Sequence, residues 1–239
     1  MIDGLSVLAV IPARGGSKGV PRKNVRLLAG RPLLGWTVAA ARASRYIDRV
    51  VLSSEDDEIM AVALAQGCEV PFRRPAELAR DDSPGIAPVL HALDVLPGYD
   101  LVVLLQPTSP LREAADIDGC IEQLVRAGAP ACISMRAVED HPYWTFRCDE
   151  SGRLRPFVVP EGGIPARRQD LPRAFTANGA VYVARTGWLR AQQGFETPET
   201  VGHEMPAARS HDIDTEDDLR IAEAALAARE GAAKEGAPG

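Results

Sequence analysis

Short apolar runs separated by longer amphipathic stretches set the rhythm of this chain. Residues 5–11 (LSVLAVI), 49–53 (RVVLS) and 100–106 (DLVVLLQ) are compact, β-branched and leucine-rich, and bounded by turn-forming residues, the pattern of buried strands. Pro12 cannot donate to a sheet ladder and closes the first of them. Between the runs the period lengthens: Ile117, Cys120, Ile121, Leu124 and Val125 recur at helical spacing. Helices are likewise predicted over 32–44 and 86–96, with Pro32 suited to a first turn and Arg42 and Arg45 near the negative end of the first dipole. Ser54 and Asp57 are expected to cap a further helix that runs to Gln66. Residues 69–72 read as a short third strand, and 131–135 and 179–184 as later ones. A capping box from Thr215 to Asp218 opens a last helix ending near Arg229. Strands alternating with helices predict an α/β fold, a mostly parallel sheet with helices on both faces.

The rhythm breaks over 138–175, which is rich in Pro, Gly and Arg, holds strand-like pieces such as 154–159, and contains no helical pattern. We read it as an inserted antiparallel arm. Residues 1–137 and 176–230 then form the core, and the Ala/Gly/Lys/Glu-rich residues 231–239 a flexible tail. A chain of 239 residues with 46% hydrophobic side chains suffices for one such domain with a small appendage. No apolar run approaches the roughly 20 residues of a membrane span. The N-terminus lacks the pattern of a signal peptide. Cys68, Cys120, Cys132 and Cys148 are widely spaced, in mostly apolar settings and without a CxxC pair, so reduced thiols and a cytoplasmic location are expected. A pI near 5.3 argues against a general nucleic-acid surface.

Charge changes this picture locally. From Gly4 to Ile47 there is no Asp or Glu and there are eight Lys or Arg, in a chain of net charge −6. The excess centres on VIPARGGSKGVPRKN (10–24), where Gly15, Gly16 and Gly19 free the backbone beside Arg14, Lys18, Arg22 and Lys23. A polyphosphate cradle after the first strand accounts for it, a solvated basic loop being the alternative. The spacing is neither GxGxxG nor GxxxxGK[ST], since Ser17 precedes Lys18 and Gly19 follows it, so neither hydride transfer nor P-loop hydrolysis is favoured. In an open α/β sheet this loop and Gln106-Pro107-Thr108-Ser109 emerge at the same edge, where ligands bind. Asp212 and Asp214 are one residue apart. On an extended chain their carboxylates share a side and suit Mg²⁺, the alternative being a capping cluster before the last helix, to which Glu216, Asp217 and Asp218 belong. The histidines show no metal-ligand spacing, and neither HExxH nor a Ser-His-Asp arrangement is present.

The basic loop, RRPAELARDD (73–82), LLQPTSPLR (104–112), ANGAVYV (177–183) and DIDTEDDL (212–219) together resemble, in order, the signature blocks of the acylneuraminate cytidylyltransferases, the CMP-sialic acid synthetases and their nonulosonate relatives. The resemblance spans nearly the whole chain to about residue 230. It implies a nucleotide-diphospho-sugar-transferase-like fold and a homodimer in which the arm crosses to shape the partner's acceptor pocket. It implies that CTP and an N-acylneuraminate or related anionic 2-keto-3-deoxy acid give a CMP-sugar and diphosphate, with Mg²⁺. It places Arg14, Lys18 and Lys23 on the phosphates, with Arg14, Lys23 and Asp214 catalytic. Ala13, Gly15, Asn24, Arg74 and Ser83 complete the nucleotide site, and Asp212 and Asp214 hold the metal. Gln106, Trp144, Arg168, Asn178 and Tyr182 face the acceptor, with Arg167 competing with Arg168 for its carboxylate. Gln106 as a turn amide, Lys23 as a surface lysine, Tyr182 as a core residue and Trp144 as arm packing are the plainer readings. Trp144, in HPYWTF (141–146), stands where sialate-specific relatives carry a lysine, which favours a diacylamido acceptor. A cytidylyltransferase for Kdo, a phosphonate or another anion is the nearest alternative. A non-catalytic nucleotide-binding module is the more distant one.

Overall fold

Apolar runs too short for helices become the strands, and the amphipathic stretches between them become the covering helices. The computed structural model describes residues 1–16 and 19–235, with 230–235 described by backbone alone. In chain order come β1 (Val7–Pro12), the minimal pair β2 (Leu27–Leu28) and β3 (Arg31–Pro32), α1 (Leu33–Ala43), β4 (Arg49–Ser53), α2 (Asp57–Ala65), α3 (Ala87–Val95) and β5 (Leu101–Leu104). There follow α4 (Ala114–Arg126), β6 (Ala131–Ala137), β7 (Phe146–Cys148), β8 (Leu154–Pro156), β9 (Phe175–Arg185), α5 (Thr186–Gln192), β10 (Val201–Glu204) and α6 (Glu216–Glu235). Among the described residues the main sheet has six strands in the order β10-β6-β9-β5-β1-β4. All pairings in it are parallel except those of β9, which runs antiparallel between β5 and β6.

Strand β1 shows why the sheet is covered on both faces. Val7, Ala9 and Ile11 pack with Leu34, Val38, Ile117 and Cys120 of α1 and α4, while Leu8 and Val10 pack with Val89, Leu93 and Leu189 of α3 and α5. Period-two alternation therefore feeds two apolar layers instead of one apolar and one wet face. A third cluster, Val20, Leu28, Leu33, Leu111, Ile213, Leu219 and Leu226, docks α6 beside the basic loop.

The α/β architecture is as expected, residues 146–156 hold the antiparallel pair β7–β8, and several details differ. Residues 69–72 form no strand, only an isolated bridge from Glu69 to Val51 at the sheet's outer edge. The α2 cap is Asp56, whose carboxylate accepts the Ile59 N–H at 3.0 Å, while Ser54 accepts the Asp56 N–H instead. The short α5 and the edge strand β10 are additions to the elements that the pattern predicts. Helix α6 continues past Arg229 to Glu235, so the expected tail is helical in its first residues, and 236–239 lie outside the described residues. Cys148 is exposed on the arm, unlike the other three thiols.

Two buried polar side chains fix the edge from which the site is built. Arg112 donates to the Gln106 carbonyl at 3.2 Å, the Ala180 carbonyl at 2.6 Å and the Thr37 hydroxyl at 2.6 Å, tying the end of β5 to β9 and α1. Asn178 sits at the β6–β9 irregularity, next to Gly179 with φ +74°. Its carbonyl oxygen accepts from Ser134 Oγ at 2.6 Å and the Ala180 N–H at 3.2 Å, and its amide donates to Ser210 Oγ at 2.9 Å. Asn178→Ala leaves these buried groups unpaired and is expected to cost about 2 kcal/mol. In calorimetry that is a fall in Tm of about 4–8 °C for a chain of this size, and an unchanged Tm contradicts this role.

Candidate active site

The loops that follow β1 and β5, with the segment entering α6, meet at the carboxyl edge of the sheet and enclose two cavities. The first, of about 460 Å³, is walled by Arg14, Gly19, Lys23, Asn24, Arg74, Ser83, Gln106 and Asp214. The second, of about 590 Å³, is walled by Gln106, Arg136, Asn178, Tyr182, His211 and Asp212. Gln106 borders both.

In the first cavity Arg14 and Lys23 are held by oxygens that a phosphate can replace. Arg14 pairs with Asp81 at 2.7 Å. Lys23, whose side chain is 13% exposed, donates to the Ile213 carbonyl at 2.7 Å and Asp214 at 3.1 Å. Arg74 is 3% exposed and bonds to Glu55 and to the Ala13 carbonyl, leaving its Nε without a partner. Glu55 also accepts the Gly15 N–H at 2.8 Å, so one carboxylate occupies both the backbone donor and the buried arginine. Asn24 donates to the Arg14 carbonyl at 3.0 Å and shapes the loop through it. Gly19 is required by close approach: a Cβ there would lie 2.1 Å from the Asp214 carbonyl oxygen. Ser83 spends its hydroxyl on the Glu77 carbonyl at 2.7 Å, so only its place in the wall matches a nucleotide contact. Arg22 turns away to Asp56 and Glu58 at the start of α2. Lys18 lies outside the described residues.

The two aspartates do not form the expected same-side pair. Their segment is irregular rather than extended, and Asp214 borders the first cavity while Asp212 borders the second. Neither carboxylate caps α6, where Thr215 and Asp218 bond reciprocally and Asp218 also accepts the Asp214 N–H at 3.1 Å. Burial holds the Asp212 carboxyl above its ordinary pKa against a hydrogen bond from Thr108, and the Asp214 charge adds to the rise. Its Oδ1 is buried without a hydrogen-bond partner. An orphaned hard oxygen beside a second carboxylate fits a divalent cation whose other ligands are phosphate and water. Among the described residues no cluster of three or more His, Cys, Asp or Glu could hold a metal on its own.

On the acceptor side the expectations divide. Tyr182 lines the second cavity, tilted against Phe195 at 5.4 Å between ring centres, with burial raising its hydroxyl's pKa. Asn178 is there too, but its polar atoms are committed to the fold. The structure does not bring Trp144 or Arg168 to either cavity. Trp144 lies on the arm and gives its indole N–H to the Pro165 carbonyl at 2.9 Å, the packing alternative. Arg168 donates to the Glu139 carbonyl and lines a separate recess of about 160 Å³ with His141 and Pro172. Arg167 pairs with Asp170 at 2.8 Å. Sequence reasoning missed Glu55, Asp81, Arg112 and Arg136. Only Asp81 and Arg112 fell within a quoted motif, and what each does depends on a distant contact.

Asp212 generates a pH test. A folded-state pKa above the unfolded value penalises the native state once the group ionises, and the penalty vanishes at pH values where both states are protonated. Asp212→Asn is therefore expected to melt above the wild type at pH 8 in chelator, with the gap closing as the pH falls to about 4. Activity is expected to fall in the same variant. A melting temperature below the wild type's at pH 8 contradicts the orphaned-charge account.

The family model described as Cytidylyltransferase matches residues 8–150. A CMP-N,N'-diacetyllegionaminic acid synthase of Legionella pneumophila is 33% identical over 92% of this chain and 95% of its own length. A pseudaminic acid cytidylyltransferase of Campylobacter jejuni is 32% identical over 90% and 94%. An N-acylneuraminate cytidylyltransferase of Streptococcus agalactiae is also 32% identical, over 89% of this chain and 51% of its length. A solved CMP:2-keto-3-deoxy-manno-octonic acid synthetase complexed with CTP superposes with a TM-score of 0.71 at 18% identity, over 94% of this chain and 99% of that one. At that identity the superposition speaks for the nucleotidyltransferase fold alone. By the family match and by relatives of near-equal length, this chain belongs to the cytidylyltransferase family.

Proposed function

We propose that this chain transfers the cytidylyl group of CTP to a nonulosonic acid, releasing diphosphate. The observation that carries the reading is the pair of cavities meeting at Gln106, one rich in phosphate-type donors and the other lined by hydroxyl, amide and carboxylate groups. Relatives named for legionaminic, pseudaminic and N-acylneuraminic acids match at near-equal identity, which supports the acceptor class. CTP places its triphosphate in the first cavity, where Arg14 and Lys23 exchange their carboxylate partners for phosphate oxygens. The acceptor's anomeric hydroxyl, held in the second cavity, attacks the α-phosphorus as the bond to diphosphate breaks. Arg14 and Lys23 bear the charge that moves onto the leaving group. Asp212 and Asp214 would hold Mg²⁺, which when bound neutralises phosphate charge.

Diphosphate release from CTP tests this across N-acetylneuraminate, a 5,7-diacylamido nonulosonate and Kdo. Turnover with a nonulosonate is expected to exceed that with Kdo, and a protein active only with Kdo, or with none, overturns the reading. Arg14→Ala is expected to lower kcat/KM about a hundredfold, close to 3 kcal/mol, with ligand-free Tm nearly unchanged. Near-normal turnover in that variant removes Arg14 from the mechanism.

The same proposal includes a homodimer built on the arm. Phe146, Leu154, Phe157 and Val159 are each at least half exposed there, an apolar surface that isolated monomers seldom show to water. The second cavity also sets Arg136 against Glu139, Asp212 and Asp218, an unfavourable balance for an anionic acceptor unless cations arrive from elsewhere. Arg147, Arg153 and Arg155 on the hairpin could supply them to a partner. Phe157→Asp is expected to shift the protein from dimer to monomer in sedimentation velocity at micromolar concentration. A wild-type monomer, or an unaltered dimer in the variant, rules the arm out.

A further inference from the structure

A third cavity, of about 380 Å³, lies between α1, the start of α4 and α6, and shares no lining residue with the two above. Its walls are largely apolar, with Trp36, Ala39 and Ala40 on α1, Pro110 before α4, and Leu226 on α6. The Trp36 indole N–H is already given to the Leu28 carbonyl at 3.0 Å, so the ring offers the groove only its apolar, π-rich surface. Against this apolar lining stand three guanidinium groups, Arg31, Arg112 and Arg229, and one carboxylate, Glu113. Arg31 lies 4.7 Å from the Trp36 ring centre. Arg229 pairs with Glu113 at 3.3 Å, and Glu113 is shared with Arg209 at 3.7 Å.

Arg112 is the unusual member. It is 3% exposed, its Nε has no hydrogen-bond partner, and its hydrogen bonds run to two carbonyls and a hydroxyl rather than to a carboxylate. Burial accordingly lowers its pKa to about 10. A groove with a surplus of positive charge over a flat apolar lining is complementary to one kind of small molecule, a planar hydrocarbon body carrying an anionic group.

We propose that the groove framed by Trp36, Pro110 and Leu226, over Arg112, is a second small-molecule site that takes a planar apolar monoanion such as an aromatic carboxylate. The ring system lies along Trp36 and Leu226, and the carboxylate faces the cluster of Arg31, Arg112 and Arg229. Because Arg112 also holds the Gln106 carbonyl, this groove and the junction of the two reaction cavities share one cation.

The test uses the full-length chain and ligand-observed saturation-transfer NMR, with 2-naphthoate as probe and neutral 2-naphthamide as its uncharged counterpart. Naphthoate is expected to bind saturably, at least about fivefold tighter than naphthamide, and to remain bound when CTP is saturating. Ala39 is exposed on α1 at the groove's edge. Ala39→Glu is expected to weaken naphthoate about fivefold without changing CTP turnover, while Ala39→Gln, of the same size, retains most of the affinity. Equal affinity for the two probes, displacement of naphthoate by CTP, equal weakening by the two Ala39 variants, or absence of saturable binding each overturns the proposal.

Discussion

The structure depends on a cation that is almost wholly buried. The guanidinium of Arg112 is desolvated, has no bonded carboxylate, and is stabilised instead by carbonyl and hydroxyl dipoles from three separate elements. Burying a charge this way is costly, and it is tolerated only where several good acceptors surround it. In return, the end of β5, the antiparallel β9 and the middle of α1 are locked in one relative position. Gln106, at the boundary of both reaction cavities, takes its backbone position from that lock.

The reaction edge uses charge in a different way. Its pairs, Arg14 with Asp81 and Lys23 with Asp214, are open to solvent on at least one side, and such pairs contribute little to stability. Under the proposed reaction, that weakness lets the carboxylates give way to phosphate. Arg74 with Glu55 is the buried counterpart, a fixed pair that holds the glycine loop from behind. A rigid inner shell and an exchangeable outer one thus occupy the same few residues of chain.

What could be read from the sequence follows from how local each signal is. The basic loop was legible because glycines and an absence of acids over more than forty residues need no tertiary knowledge. The strands β1, β4 and β5 were legible because each is a closed apolar run. The direction of β9 was not, since alternation looks the same in parallel and antiparallel strands. Residues 69–72 have strand composition but pair at the sheet's edge through a single bridge. Glu55 and Arg112 stayed hidden because an acid after a strand and an arginine after a proline turn acquire meaning only from partners far along the chain. For Trp144 and Arg168 the resemblance named positions on the arm, and within one chain neither residue lines either cavity.

The contact between Gly19 and the Asp214 carbonyl has a consequence in time. It belongs to the same seam as the Lys23–Asp214 hydrogen bond, which joins residues 191 positions apart. Closing so long a loop carries an entropic cost that the packing of Ile213, Leu219 and Leu226 onto Val20 and Leu33 must offset. During synthesis the glycine loop leaves the ribosome early, yet its wall is missing until nearly the last helix has emerged. Asp214, which completes that wall, is made 191 residues after Lys23, so the seam between them closes only after the strands of the sheet have been made.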